Sequence, residues 1–179
     1  PSGTVTVGSL DIGHGAGTGG TADTNSTAVG LNALDGSLNT STHNTAIGAN
    51  TLTATMTAAG DRNTAVGGSA GAAVTSGDNN TAVGYQAFLT AFTGSDATAV
   101  GSGAADAAVS DLGITAIGKN ALGACNGGDY NTAVGASSGD GITVGNRNTS
   151  LGVWSLSAGA TDDNTALGYY SLVAYDGTD

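Results

Sequence analysis

The polar and apolar positions of this chain fall into one short pattern that returns nine times. Its clearest copy is Asn80-Thr81-Ala82-Val83-Gly84-Tyr85-Gln86-Ala87-Phe88. The glycine recurs at Gly30, Gly48, Gly67, Gly84, Gly101, Gly118, Gly135, Gly152 and Gly168, at intervals of 18, 19, 17, 17, 17, 17, 17 and 16 residues. A fixed period of this length marks one supersecondary unit stacked on itself. Three residues before each glycine stands a threonine: Thr27, Thr45, Thr64, Thr81, Thr98, Thr115, Thr132, Thr149 and Thr165. One residue before it is always Val, Ile or Leu, and two before it is Ala, with Ser150 the exception. Four before it is Asn in six copies, replaced by Ser26, Ala97 and Ile114 in the others.

Successive side chains of a strand point to opposite faces, so Thr and Val share one face while Asn and Ala share the other. A half-exposed strand would hold one face constant and let the other drift. Here both are held, which predicts that both are packed, one inside the coil and one against a neighbouring chain or layer. The glycine suits a tight turn or a positive φ. Turn-forming groups such as Gly77-Asp78-Asn79 and Thr161-Asp162-Asp163 precede the unit, where Asp and Asn tolerate the left-handed region. Each repeat is therefore expected to run strand, turn, short second strand, loop. Ile142-Thr143-Val144-Gly145 is read as one such second strand.

The predicted fold is all-β, a parallel β-roll or β-solenoid of about nine to ten coils with a period of ~17 residues, near 40 Å long at about 4.8 Å per coil. Residues 1–22 read as a degenerate N-terminal coil or junction, and 23–179 as the repeat domain. The start at Pro1 rather than Met suggests a fragment of a longer fibre protein, and Val173–Asp179 the opening of a tenth coil. Composition agrees: 32 Gly, no Glu and three Lys plus Arg do not build helices. Most apolar residues are Ala and aromatics are only 4%, so each coil has three or four apolar side chains to turn inward. Stacking, and association of several chains, would supply the missing burial. An oligomer is expected.

These repeats resemble the head repeats of trimeric autotransporter adhesins, the YadA-like family. They are similar also to the Asn-Thr-Ala-Val-Gly-Tyr-Gln-Ala-Leu arrays of phage tail fibres, over about residues 23–175. The resemblance implies a left-handed parallel β-roll, wound as a homotrimer, acting as stalk or head in attachment to a cell-surface glycan or protein receptor. It implies an extracellular place, on a virion tail fibre or a bacterial cell surface. The period is longer than in the adhesin heads, and Thr replaces their apolar residue two before the Val.

Charge and chemistry narrow the functions. A net charge of −11 leaves little for a nucleic-acid backbone to bind, and no run of 18 apolar residues offers a membrane insertion. The only histidines, His14 and His43, lie far from Cys125 in the repeat order, so no base is set beside a nucleophile. No catalytic residue, cofactor or metal site is assigned. Asp-containing turns could hold Ca²⁺, but the acids fall about one per turn and read better as solvated turn formers. Cys125 reads as a small buried filler, and Phe88 and Phe92 as core. Tyr85 and Tyr169 follow the glycine directly, with Trp154 and Tyr170 at the next position. Trp154 and Tyr170 should meet on neighbouring coils, either to stack on sugar rings or to pack between chains. Three functions fit: an attachment fibre, a purely structural spacer, and an ice-binding solenoid suggested by the Thr ladder.

Overall fold

The computed structural model describes residues 25–35, 42–54, 60–90 and 92–173. The expected junction over 1–22, His14 and the tail beyond Val173 lie outside these. Nine three-residue strands follow one another: β1 (Thr27–Val29), β2 (Thr45–Ile47), β3 (Thr64–Val66), β4 (Thr81–Val83), β5 (Thr98–Val100), β6 (Thr115–Ile117), β7 (Thr132–Val134), β8 (Thr149–Leu151) and β9 (Thr165–Leu167). They form one parallel sheet in chain order, and no helix occurs among the described residues. The register is strict: Thr81 pairs with Thr98, Ala82 with Ala99 and Val83 with Val100, and so on along the stack. The chain is a β-solenoid.

The faces divide as the alternation requires. Ala46, Ala65, Ala99 and Ala116 are wholly buried, as are Asn131 and Asn148, while the Thr and Val/Ile/Leu columns lie outward, half-buried or exposed. The interior is completed by the small residue three after the glycine, by the residue four after it, and by a column holding Val74, Ala108, Cys125 and Ile142. Where Gly71 and Gly139 interrupt the apolar column, neighbours fill the room. A Cβ on Gly71 would meet Leu52 at 2.9 Å and Val74 at 3.5 Å, and one on Gly139 would come within 3.2 Å of Ile142. Phe88 and Phe92 are both fully buried and stacked with ring centroids 4.3 Å apart, and a Cβ on Gly94 would come 2.7 Å from the Phe92 ring.

The glycine column is a close approach of backbones. Gly84 has φ +132°, and a Cβ there would sit 2.5 Å from the carbonyl oxygen of Gly101 on the next coil. The same geometry repeats from Gly30 to Gly152. Positive φ is not confined to glycine. The residue five before it (Asn25, His43, Arg62, Asn79, Asp96, Tyr130, Arg147, Asp163) is left-handed, as are most residues two and four after it. That corrects the expected second strand. A segment that enters the left-handed region at every other residue cannot run extended, so the residues after the glycine form turns rather than a strand. Ile142–Gly145 likewise forms no strand: Ile142 fills the core and Val144 points to solvent.

These turns still hydrogen-bond from coil to coil. Gly101 N–H donates to Val83 O at 2.7 Å on the coil before, whereas Thr98 N–H donates to Ile114 O at 2.9 Å on the coil after. At the corner before the strand, side chains replace backbone acceptors. Asn80 N–H donates to Asn63 Oδ1 at 2.9 Å, and Asn63 Nδ2 donates to Gly77 O at 2.8 Å. Two residues earlier the ladder runs the other way, with Asp61 N–H donating to Asp78 Oδ1 at 2.8 Å. The Asn and Asp columns are thus acceptors that the backbone needs inside a tightly turned coil.

Candidate functional site

The Asn ladder breaks at Ala97 and Ile114, and the structure shows what lies at the second gap. In coils that keep the Asn, a Cβ three residues earlier would strike its amide: 2.7 Å from Asn80 Nδ2 at Gly77, and 2.7 Å from Asn131 Nδ2 at Gly128. Ile114 has no amide, and the corresponding residue is Asp111. Its carboxylate is fully buried and accepts Gly127 N–H at 2.6 Å, Gly128 N–H at 2.5 Å and Val109 N–H at 3.1 Å. The expectation that the acids are solvated turn formers therefore fails at this residue. A carboxylate held by three backbone donors lies at the corner that lacks the carboxamide, with different partners: Gly128 O, the carbonyl an Asn would reach, instead faces Cys125 Sγ at 3.7 Å.

Cys125 lies 3.6 Å from Asp111 and is a free, fully buried thiol, as a filler should be. Burial first, and then the neighbouring Asp111 charge, push its pKa up to about 12. A thiol so held is protonated at neutral pH and a poor nucleophile. Native protein is expected to resist a thiol-specific chromophoric reagent at pH 8, with labelling following the rate at which the coil opens. Immediate stoichiometric labelling of folded protein would contradict this burial. His43 is exposed in the corner before Asn44, its Nδ1 3.0 Å from Thr42 Oγ1 and in contact with no cysteine.

A carboxylate pair stands five residues after the corner glycine. Asp106 and Asp140 flank Gly123 on the coil between them; a Cβ there would be 3.4 Å from an oxygen of each. Burial raises both pKa values above the ordinary 3.8, and the Asp140 charge adds to the rise at Asp106. A carboxyl whose folded pKa is raised costs stability above that pKa, a cost that vanishes once pH falls below the unfolded value. Asp106→Asn should therefore raise the unfolding midpoint at pH 7, and the gain should disappear as pH drops below about 3.8. A gain that persists in acid would rule out this origin. No group of three or more His, Cys, Asp or Glu close enough to hold a metal occurs among the described residues.

Of the aromatic residues singled out in the sequence, three come together and one does not. Trp154 and Tyr170 sit on consecutive coils with ring planes 25° apart and centroids 6.3 Å apart, and Tyr169 meets Tyr170 edge-on at 4.5 Å. They are 39%, 48% and 74% exposed. Tyr85 lies five coils away in the column of Tyr169, exposed, with its ring against Gly68. No protein-family profile, curated protein or solved structure matches this chain. The molecule meets any partner through its exposed surfaces.

Two of these stand out. One is the outward strand face, a column of nine Thr beside a column of nine Val, Ile or Leu, repeating at about 4.8 Å. It carries no charged residue, and Ile47, Ile117, Leu151 and Leu167 are at least 40% exposed on it. The other is the strip just past the glycine that bears the aromatic cluster. No carboxylate lies on the strand face itself, whereas Asp106 borders the strip, its Oδ2 3.9 Å from a Cβ placed on Gly103 in the column of Asn120 and Trp154. Arg62 and Arg147 are drawn to the opposite corner, where Arg147 pairs with Asp162 and Asp163 and Arg62 with Asp61 and Asp78.

Proposed function

We propose that this chain is a repeat segment of an extracellular fibre, of the kind found in phage tail fibres and bacterial trimeric adhesins. In this reading it assembles as a homotrimer and mediates attachment to a host or cell surface. The observation that carries the reading is the strand face of Thr and Val/Ile/Leu. A regular apolar strip of nine rungs, free of charge on a chain of net charge −11, is a surface that a partner should cover. Like-charged copies of the chain can meet there without bringing carboxylates together. The resemblance of the repeats to adhesin heads and fibre arrays points to three copies.

Light scattering tests the assembly directly. The expected mass is three times 16.9 kDa. A stable monomer would remove the trimer and leave the outward Thr ladder free in water. Thermal hysteresis would then decide whether the face binds ice. Adhesion of labelled protein to intact cells separates an attachment segment from a spacer, because a spacer alone retains nothing on the cells.

A further inference from the structure

We infer that the strip just past the corner glycine, from Lys119 to Tyr170, is a binding site for a short oligosaccharide bearing one carboxylate. The aromatic rings take its neutral sugars and Lys119 takes the acid. The inference rests on the attachment reading above only in giving the site a use. Its chemistry is argued from the strip itself.

The strip consists of the two residues after the glycine on four successive coils: Lys119-Asn120, Ala136-Ser137, Val153-Trp154 and Tyr169-Tyr170. The backbone holds these pairs in register. Ser137 N–H donates to Lys119 O at 2.8 Å, Trp154 N–H to Ala136 O at 3.1 Å, and Tyr170 N–H to Val153 O at 3.1 Å. The second residue of each pair is left-handed, φ 52–57°. A site laid on such rungs is preorganised and loses little backbone freedom on binding.

The repeat does not require its occupants. Elsewhere in the same two columns stand Ala49-Asn50, Gly68-Ser69 and Ser102-Gly103. Three clustered rings, each more than a third exposed, are a local departure that leaves amphipathic aromatic surface in water. Lys119 is a second departure. It is exposed and has no ion pair among the described residues, although the chain is strongly acidic and both Arg62 and Arg147 are paired. The Lys119 and Trp154 rows are two coils apart, about 10 Å, and the Tyr170 row is one further, about 14 Å. A tri- or tetrasaccharide spans that length along the rod. A polyanion is disfavoured by the net charge of −11, so one carboxylate is the charge the strip accepts.

Trp154 is the only tryptophan of the chain, which makes its fluorescence a reporter placed on the site. The experiment titrates the full chain with 3′-sialyllactose, its methyl ester and lactose, alongside an array of sialylated and glucuronylated oligosaccharides. A saturable change in Trp154 emission is expected with the acidic sugars. Lys119→Gln should weaken the acid by about tenfold while leaving the methyl ester unchanged. Tyr170→Ala should weaken both, and Tyr170→Phe should restore them, with circular dichroism unaltered throughout. A silent array overturns the inference, as does an acid preference that survives Lys119→Gln. A trimer that adheres to cells but binds no acidic sugar keeps the fibre reading and loses this one. A monomer that binds the sugar does the reverse.

Discussion

Gly84→Ala is expected to destabilise the solenoid by roughly 3–5 kcal/mol, among the largest effects any single methyl group could have here. Two costs combine. An alanine at φ +132° is strained, and its Cβ would lie 2.5 Å from Gly101 O and 2.6 Å from Gly101 C. The neighbour is backbone already engaged in the ladder, so relief requires the next coil to shift. Gly168 separates the costs, because at φ +118° its Cβ would meet nothing within 4 Å among the described residues. Gly168→Ala should therefore lose only the strain, about 1–3 kcal/mol. Chemical denaturation of the two variants checks the order. Equal losses would mean that the coils give way readily and that the close approach is not a constraint.

Asn63→Leu should cost roughly 2–5 kcal/mol although it adds apolar volume to the interior. Asn63 is 1% exposed; its Oδ1 receives Asn80 N–H and its Nδ2 donates to Gly77 O. Leucine would leave that donor and that acceptor buried without partners, at about 1–3 kcal/mol each. The first copy suggests a graded control, since Ser26 Oγ accepts Asn44 N–H at 2.8 Å in the same role. Asn63→Ser should keep the acceptor, lose the donor, and fall between wild type and leucine. If serine and leucine proved equally harmful, packing rather than hydrogen bonding would be the reason for the Asn column.

Much of the fold was legible because each column of the repeat has a single physical task. Thr81-Ala82-Val83 announces a strand by alternation, and Gly84 marks a backbone that nothing larger can replace. The residues after Gly84 misled because Gln86 and Phe88, at φ 59° and 50°, hold a conformation that only Gly, Asn or Asp usually signals. Coil-to-coil hydrogen bonds and burial of Phe88 compensate that strain, and neither can be seen in a single repeat. Asp111 was hidden for a related reason. Its burial depends on the loss of an amide at Ile114, three residues on, a coupling that treating the columns one by one misses. The same holds for Ser150, the exception to Ala, which is buried against Ser138 Oγ at 2.6 Å. The aromatic cluster lies between these cases. Its register and the distance to Tyr85 follow from spacing, and its exposure from the polar or small residues of the Trp154 column, whereas the edge-on contact of Tyr169 with Tyr170 required the coil geometry.

The strict nearest-neighbour ladder also decides how the rod answers a load. Every described coil is fastened only to the ones beside it, by rows of hydrogen bonds that run along the axis, and the covalent chain climbs by a single rise per turn. Tension between the two ends concentrates on the outermost coil, which peels before the next is disturbed. A coil of ~17 residues drawn straight measures roughly 58 Å, against about 4.8 Å when wound. Each event would therefore pay out some ~50 Å of slack, so a tether built this way yields in steps instead of snapping.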